Sequence, residues 1–282
     1  MEALTVFILV ISFFLLIGIG TPVAWSIAIS SLLTLFINLP SLAALTTIAQ
    51  RMATGLDSFT LLAIPFFILS GQLMTHGGIA ERLIRFAKSL IGTLPGGLAL
   101  INIISAMMMG AIAGSAMASA SAIGGILGPE MEKEGYDKGY GAAVNITSST
   151  MGLVIPPSNI LIVYSLASGG VSIAALFLAG YLPGMLTCFF LMLVASIWAK
   201  RKGYPISQRS SIKEIFSSFI SALPSLFLLF IVIGGIVAGF FTATEASAIA
   251  VLYTLILGIL YKQIKFKNLS LIHISEPTRR KH

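Results

Sequence analysis

Long uncharged stretches separated by short charged segments dominate the chain, and they predict membrane-spanning helices. A helix needs roughly 20 apolar residues to cross a bilayer. Six stretches reach or approach that length, at residues 3–20, 22–39, 58–75, 172–199, 215–240 and 242–261. They lack the apolar–polar alternation that is typical of membrane barrel strands. The pattern therefore predicts an all-α integral membrane protein with several spans.

A further uncharged stretch, residues 96–128, is too short to cross the membrane twice. Two arms of about 15 residues reach about 22 Å each, whereas the hydrocarbon core is about 30 Å thick. We expect a re-entrant helical hairpin with its tip at residues 113–119, where small residues crowd together. Such a tip must be buried in protein or line a watery cavity. The spacing of Gly110 and Gly114 allows an alternative reading, a packing face for another helix.

The uncharged run at residues 139–199 has the opposite problem, because it is too long for two straight crossings. About sixty residues make about 90 Å of helix, and two crossings use about 60 Å. The excess predicts a broken helix. The break falls in "TSSTMGLVIPPSN", residues 147–159, where Pro156 and Pro157 remove backbone donors and Gly152 permits an unusual turn.

Hydroxyl groups surround this predicted break. Thr147, Ser148, Ser149 and Thr150 stand beside carbonyls that the prolines deprive of helical partners. Broken helices in transporters offer such uncharged oxygen clusters to Na⁺ near the membrane midplane. The alternative is structural, because Ser and Thr also donate back to carbonyls of the preceding turn.

Basic residues lie at the ends of the spans, and their distribution predicts the topology. With an outer amino terminus, thirteen of them fall on the inner side and only Arg51 on the outer side. The inner set is Arg82, Arg85, Lys88, Lys133, Lys138, Lys200, Arg201, Lys202, Arg209, Lys213, Lys262, Lys265 and Lys267. This asymmetry follows the positive-inside rule. The net charge of +7 thus reflects topology rather than a nucleic-acid partner.

Residues 79–91 predict an amphipathic helix lying along the inner membrane surface. Its apolar face comprises Ile79, Leu83, Ile84, Ala87, Leu90 and Ile91. The opposite face is charged, and Glu81 and Arg85 have the spacing of an ion pair.

Composition and single residues exclude or weaken other classes of protein. With 57% hydrophobic and 10% charged residues, the chain cannot be a soluble domain. The single cysteine, Cys188, excludes a disulfide framework. A membrane serine hydrolase would need a histidine base beside a serine such as Ser115, but the one histidine before residue 269 is His76, at a span end. No nucleotide-binding loop, filter repeat or charged ring favours a pump or a channel. We predict no enzymatic activity.

Residues 22–33 and residues 244–255 show a weak internal sequence similarity. The matching pairs are Ala24/Ala246, Ile27/Ile249, Ala28/Ala250 and Leu33/Leu255. The predicted topology starts the two segments on opposite sides of the membrane, as inverted repeats require.

Five segments in this order resemble the large membrane subunit of tripartite ATP-independent periplasmic (TRAP) transporters. They are "IPFFILSGQLMTHGGIAERLIRFAKSLIGTLPGGLA", "AGSAMASASAIG", "GPEMEKEGYDKGYGAAV", "SSTMGLVIPPS" and "FTATEASAIAVLY". The resemblance runs from about residue 3 to residue 267. It implies a bacterial inner-membrane carrier of the elevator type that imports an organic acid of the C4-dicarboxylate, sialic acid or keto acid class.

The resemblance also implies partners and a coupling ion. A periplasmic binding protein would deliver the acid, a small membrane subunit would complete the transporter, and Na⁺ would drive uptake, with no other cofactor. The alternative is another Na⁺-coupled anion symporter of similar hairpin architecture that works without a binding protein.

Site residues follow from the resemblance, position by position. The implied Na⁺ ligands come from the hairpin tip and the broken helix: Gly114, Ser115, Ser148, Ser149, Thr150 and Gly152. The implied substrate contacts are Ser115, Ser119, Pro156 and Pro157. Ser119 stands where family members often carry aspartate or threonine.

Five regions follow from this reading. Residues 1–57 hold two spans and an outer connection, 58–94 a span and the amphipathic helix, 95–200 the hairpin and broken helix, and 201–268 an inner loop and the start of a second repeat. A second hairpin and a second broken helix, which the family pattern includes, are absent from residues 1–268. "LSLIHISEPTR", residues 269–279, resembles a translated sequencing adaptor, so residues 269–282 are expected to be foreign to the natural protein.

Overall fold

The computed structural model describes residues 2–91, 96–205 and 210–264, and these residues form helices joined by short turns. No strand occurs in this described part of the chain. The prediction of an all-α protein is confirmed. The chain divides into two compact units, Met1–Ser58 and Phe59–His282. The predicted tail, residues 269–282, lies outside the described residues.

The first unit contains three helices, α1 (Glu2–Gly18), α2 (Val23–Asn38) and α3 (Ser41–Leu56). α2 packs against both α1 and α3. Pro22 and Pro40 directly precede α2 and α3, where a missing N–H costs little because the first N–H groups of a helix have no intrahelical partner. α1 and α2 were predicted as full spans, but at 17 and 16 residues both are shorter apolar helices. α3 was not predicted, because the sequence pattern indicated only an outer connection at residues 40–57.

The second unit begins with a short 3₁₀ turn, Phe59–Leu62, and continues through ten α-helices in the described residues. They are α4 (Ala63–His76), α5 (Ile79–Ile91), α6 (Gly97–Ala113), α7 (Ala116–Lys133), α8 (Lys138–Ser149), α9 (Met151–Val154), α10 (Asn159–Ala167), α11 (Ile173–Lys202), α12 (Ile212–Val237) and α13 (Ala243–Leu260).

Four helical segments in the described residues are long and apolar enough to cross a membrane: Phe59–His76, Ile173–Lys202, Ile212–Val237 and Ala243–Leu260. A fifth is possible if the bent pair Lys138–Val154 and Asn159–Ala167 counts as one span. Ala3–Gly18, Val23–Asn38 and Gly97–Ala113 are shorter apolar helices. The chain is therefore an integral membrane protein, as its hydrophobic pattern predicted.

α6 is the central helix of the second unit. Fifteen of its 17 residues are buried, and it packs against α5, α7, α8, α9 and α11. A helix that is apolar on every side belongs inside protein rather than at a surface. This position places the end of α6, at Gly114, among other helices.

The amphipathic helix α5 turns its apolar face toward protein. Ile79, Leu83, Ile84 and Ala87 are buried, and α5 packs against α6 and α12. The predicted apolar face is confirmed, although protein covers much of the surface that was assigned to the membrane. Leu90 is the exception, at 50% exposed.

The charged side of α5 makes contacts that differ from the prediction. The described residues show no ion pair between Glu81 and Arg85, so that prediction is wrong. Arg82 Nη1 instead donates to Ser221 Oγ at 2.7 Å, and its guanidinium lies 3.6 Å from the centre of the Tyr261 ring. These long-range contacts of Arg82 fix α5 to α12 and to the end of α13.

The turn between α7 and α8 is anchored to the end of α11 by tyrosines. The Tyr136 ring stacks on Tyr204 with centroids 4.3 Å apart, and its hydroxyl donates to Pro205 O at 3.4 Å. Burial raises the pKa of Tyr136 to about 12, because the buried site disfavours the phenolate. The turn therefore holds a neutral phenol throughout the physiological pH range.

Candidate functional site

The hairpin predicted at residues 96–128 consists of α6 and α7, which pack on each other. α6 ends at Ala113 and is capped by Gly114, which has φ +60°, a left-handed conformation that favours glycine. α7 begins after Ser115, whose Oγ accepts from Ala118 N at 3.4 Å as the N-cap. The tip is thus two residues long and lies within the predicted range.

The broken helix also lies where the prolines predicted it. α9 ends at Val154 and α10 begins at Asn159, and the axes on either side differ by 48°. Ser158 caps α10 by accepting from Leu161 N, and its hydroxyl donates to Leu153 O, one of the carbonyls that the break exposes. The break therefore satisfies part of its own backbone.

α11 supports the break from behind through two glycines. A Cβ on Gly180 would lie 2.4 Å from Val154 O, and a Cβ on Gly184 would lie 2.3 Å from Ile155 Cγ1. Larger residues at these positions would displace the break. The non-helical backbone is thus enclosed by protein, as the absence of water in a bilayer requires.

The hairpin and the broken helix cross backbone to backbone. A Cβ on Gly110 would lie 2.5 Å from Gly152 Cα, and a Cβ on Gly152 would lie 2.9 Å from Gly110 Cα. The helix-packing reading of Gly110 is therefore correct alongside the hairpin reading, because the hairpin needs that close approach.

The tip itself contacts the break. Asn159 N donates to Gly114 O at 3.3 Å, and a Cβ on Gly114 would lie 2.6 Å from Pro157 O. Ser115 O approaches Gly152 closely, since a Cβ there would be 3.2 Å from it. Two backbone interruptions that are about forty residues apart in sequence thus meet at one place.

Hydroxyls on α8 point back to the helix. Ser148 Oγ donates to Asn145 O and to Asn102 Oδ1, both at 3.1 Å, and Ser149 Oγ donates to Asn145 O at 2.7 Å. This is the structural alternative that the sequence left open. It leaves oxygen lone pairs available, because a hydroxyl that gives its proton to a carbonyl still accepts or coordinates.

The predicted site residues are only partly brought together. Gly114, Ser115, Gly152 and Pro157 meet at the contact between tip and break. Thr150 is exposed, and its hydroxyl donates to Thr147 O at 2.7 Å.

Three of the four predicted substrate contacts are buried: Ser119, Pro156 and Pro157. Ser119 is fully buried, and its Oγ donates to Ala106 O at 2.9 Å, which ties the two arms of the hairpin together. Pro156 is also buried, and its Cδ lies 3.5 Å from the position of a Cβ on Gly180. Their assignment to a substrate site stays a prediction, which this geometry does not favour.

Three asparagines near the site were missed by the sequence reasoning. Asn159 Oδ1, Asn145 Oδ1 and Asn102 Nδ2 are buried and have no hydrogen-bond partner. A buried polar atom without a partner is costly and requires explanation. The signal that could have found them is an asparagine inside an otherwise apolar run, but the predicted site was built from hydroxyls, glycines and prolines.

The site carries no formal charge. Residues 96–128 and 139–199 contain no Asp, Glu, Lys or Arg. Among the described residues, no group of three or more His, Cys, Asp or Glu could hold a metal ion. The tip and the break therefore offer carbonyl, amide and hydroxyl oxygens within the described residues.

Comparison with known proteins identifies the class. Residues 10–277 match the family model described as "Tripartite ATP-independent periplasmic transporter, DctM component". Uncharacterized protein YgiK of Salmonella typhimurium is 54% identical over 258 residues, which cover 92% of this chain and 59% of YgiK. The C4-dicarboxylate TRAP transporter large permease protein DctM of Rhodobacter capsulatus is 35% identical over 289 residues, covering 98% and 64% respectively.

A third relative is the sialic acid TRAP transporter large permease protein SiaM of Vibrio cholerae, 40% identical over 239 residues, covering 85% of this chain and 55% of SiaM. The chain belongs to the DctM family of TRAP transporter large permease subunits. This confirms the resemblance and the prediction of a bacterial inner-membrane protein, and the relatives of this family are transporter permeases rather than enzymes. The chain spans less than two thirds of the length of YgiK and of the R. capsulatus DctM.

Proposed function

We propose that this chain forms part of a Na⁺-coupled secondary transporter that imports an organic acid. The acid is of the C4-dicarboxylate, sialic acid or keto acid class. A periplasmic binding protein delivers it, and a small membrane subunit completes the transporter. Relatives named for C4-dicarboxylate, sialic acid and 2,3-diketo-L-gulonate transport support this range of substrates.

The observation that carries the proposal is the contact between the hairpin tip and the broken helix. A backbone interruption inside a membrane protein is tolerated where it lines a binding site for substrate or ions. Here two interruptions meet, and the glycine crossing of α6 and α9 holds them together. A purely structural kink in one helix does not need a second interruption against it.

The proposed ion site uses neutral oxygens of the tip, the break and α8. The candidate atoms are Ser115 Oγ, Asn159 Oδ1 and the hydroxyl oxygens of Ser148 and Ser149. Asn159 adds to the set predicted from sequence, since its Oδ1 is buried and has no partner. Neutral ligands suit Na⁺, because a monovalent cation gains less from carboxylates than a divalent ion and must also be released in every cycle.

The proposed substrate wall is the surface of the tip at Ser115, which is half-buried. No basic residue lies in the uncharged runs that build the tip and the break. Contacts from these runs to a carboxylate would therefore come from hydroxyls and backbone amides, such as the N–H groups at the start of α7, whose helix dipole favours an anion.

Transport in proteoliposomes tests the proposal. A large subunit of full family length that carries this chain's residues is reconstituted with a small membrane subunit and a binding protein. Uptake of labelled organic acids is then measured against the Na⁺ concentration. We expect uptake that requires Na⁺, with Asn159→Ala and Ser149→Ala raising the half-saturating Na⁺ concentration by about tenfold, as expected for about 1.4 kcal/mol per lost ligand.

Thr147→Val is the matched control. Thr147 lies on the same helix and its hydroxyl donates back to Ala143 O at 2.7 Å, but its side chain is exposed. It should leave the Na⁺ dependence unchanged. Uptake that is indifferent to Na⁺ would refute the coupling, and uptake without the binding protein would favour the alternative symporter.

A further inference from the structure

A cavity of about 250 Å³ lies between α6, α7 and α8, apart from the contact between tip and break. Ala120, Gly124 and Gly128 line it from α7, and Gly141 and Asn145 line it from α8. Several water molecules fit into this volume. We call it the α7–α8 cavity.

Two glycines that line the cavity are not needed for packing, whereas Gly124 is, since a Cβ there would lie 2.2 Å from Asn145 Nδ2. A Cβ on Gly128 would meet no atom within 4 Å, and a Cβ on Gly141 would only reach Met131 at 3.7 Å. Neither glycine has a positive φ. Helices with small facing residues normally close on each other, so space that remains open at Gly128 needs another explanation.

At the deep end of the cavity, two polar side-chain atoms have no hydrogen-bond partner. Asn102 lines it, is 1% exposed, and its Nδ2 makes no hydrogen bond. Asn145 also lines it, with Oδ1 unpartnered while Nδ2 donates to Ala120 O at 3.0 Å. The residues that line the cavity thus leave one donor and one acceptor without a protein partner, and water or an ion in the cavity would satisfy them.

The mouth of the cavity is charged and weakly acidic. Glu132, Asp137 and Lys138 line it, and Lys138 Nζ lies 3.1 Å from Glu132 Oε2. The pair cancels, which leaves Asp137 as the net charge, although its Oδ1 also accepts from Tyr140 N at 2.9 Å. A negative rim raises the local concentration of cations.

The deep end of the cavity adjoins the proposed ion ligands. Asn145 contributes its side chain to the cavity, and its backbone carbonyl accepts from both Ser148 Oγ and Ser149 Oγ. Asn102 likewise lines the cavity and accepts from Ser148 through Oδ1. The two asparagines thus form the boundary between the cavity and the hydroxyl oxygens.

We infer that the α7–α8 cavity is a water-filled path by which the coupling cation passes between the inner solution and the oxygens of Asn145, Ser148 and Ser149. This inference rests on the proposed Na⁺ coupling. It adds a route that does not run past the substrate, because the cavity lies along the hairpin's second arm rather than at its tip.

Cysteine accessibility tests the path. Cys188 is the single cysteine of the chain, so Cys188→Ser gives a cysteine-free background. Into it, Ala120→Cys is introduced at the deep end of the cavity. A small, membrane-impermeant, cationic thiol reagent is added to inverted membrane vesicles, in Na⁺ or in choline. Only a hydrated thiol ionises and reacts. We expect labelling in choline. In Na⁺ the labelling rate should fall by about threefold or more, because Na⁺ bound in about two-thirds of the molecules leaves only about one-third free to react.

Two glycine variants provide a matched pair. Gly128→Val places a branched side chain in the cavity, whereas Gly125→Val adds the same group to the same helix at an exposed position where a Cβ also meets nothing within 4 Å. We expect Gly128→Val to slow labelling at residue 120 by about tenfold, on the scale of a closed water path, and Gly125→Val to leave it unchanged. Gly128→Ala should give an intermediate rate, which guards against misfolding of the valine variant.

Three results would overturn the inference. These are no labelling at residue 120 from the inner side, equal rates in the two valine variants, or no effect of Na⁺. If Na⁺ has no effect on labelling while uptake by the complete transporter still requires it, the path is wrong and the proposed function stands. If uptake does not require Na⁺, the proposed function itself fails.

Discussion

The crossing of α6 and α9 offers the sharpest test of how the two interruptions are held together. Gly110→Ala places a Cβ 2.5 Å from Gly152 Cα. Carbon atoms pack best at about 3.5–4.0 Å, so the two backbones must separate by about 1–1.5 Å. The obstructing atom is backbone and cannot rotate away. We therefore expect the upper part of the usual overpacking range, about 3 kcal/mol.

Gly125→Ala is the matched control for this variant. Alanine stabilises a helix by about 1 kcal/mol relative to glycine, and both variants gain this term. A Cβ on Gly125 meets nothing within 4 Å. The difference between the two variants, about 3 kcal/mol, is therefore the cost of the crossing alone. By the scaling of unfolding entropy with size, it corresponds to about 6–12 °C in melting temperature.

Thermal unfolding of the purified protein in nanodiscs, followed by tryptophan fluorescence, measures the difference. Gly152→Ala should behave like Gly110→Ala. The double variant should cost less than the sum, because the first alanine already separates the helices. Equal melting temperatures for Gly110→Ala and Gly125→Ala would show that the helices do not touch here, and the account of the site would lose its support.

Three further predictions concern the periphery of the second unit. Folding raises the pKa of the Tyr136 phenol to about 12, so this group stabilises the protein fully below pH 10 and loses that contribution as the pH rises toward about 12. In Tyr136→Phe, the free energy of unfolding should therefore fall less steeply over this pH range than in the parent protein, as measured by unfolding at stepped pH. Arg82→Lys should destabilise the protein by about 1–2 kcal/mol in the same melting assay, because lysine cannot both stack on Tyr261 and keep the planar donor that reaches Ser221. An unchanged melting temperature would show that these two contacts do not stabilise the fold. In a Cys188→Ser background, Ser210→Cys should be labelled by an impermeant reagent in inverted vesicles and not in intact cells, and the opposite result would reverse the topology deduced from charge.

Much of the fold was predictable because the bilayer makes length informative. A stretch too short to cross twice and one too long to cross straight each implied an irregular backbone, and both breaks lie where glycine and proline placed them. α3 was missed because Arg51 and several threonines make residues 41–56 less apolar, so hydropathy gave no signal. Propensity rather than hydropathy would have been needed to find it.

Contacts between distant residues were beyond the sequence reasoning. Glu81 and Arg85 had suitable spacing but form no ion pair in the described residues, and the stacking of Arg82 on Tyr261, at the end of α13, could not be derived from local spacing. The meeting of Gly110 with Gly152 depends on how two helices cross, which no local pattern encodes. Likewise, the unpartnered amide of Asn159 becomes evident only when its neighbours are known.

The burial of α6 has a consequence for how the protein enters the membrane. With 17 residues, α6 is shorter than a span, and its carboxyl end carries an open backbone turn that lipid cannot satisfy. The residues that contact this turn include Gly152 of α9 and Pro157 and Asn159 of the break, which are synthesised about 40 residues later. The hairpin therefore cannot settle at its final depth when it leaves the ribosome. Its insertion must wait for downstream helices, so the order of membrane integration differs from the order of synthesis.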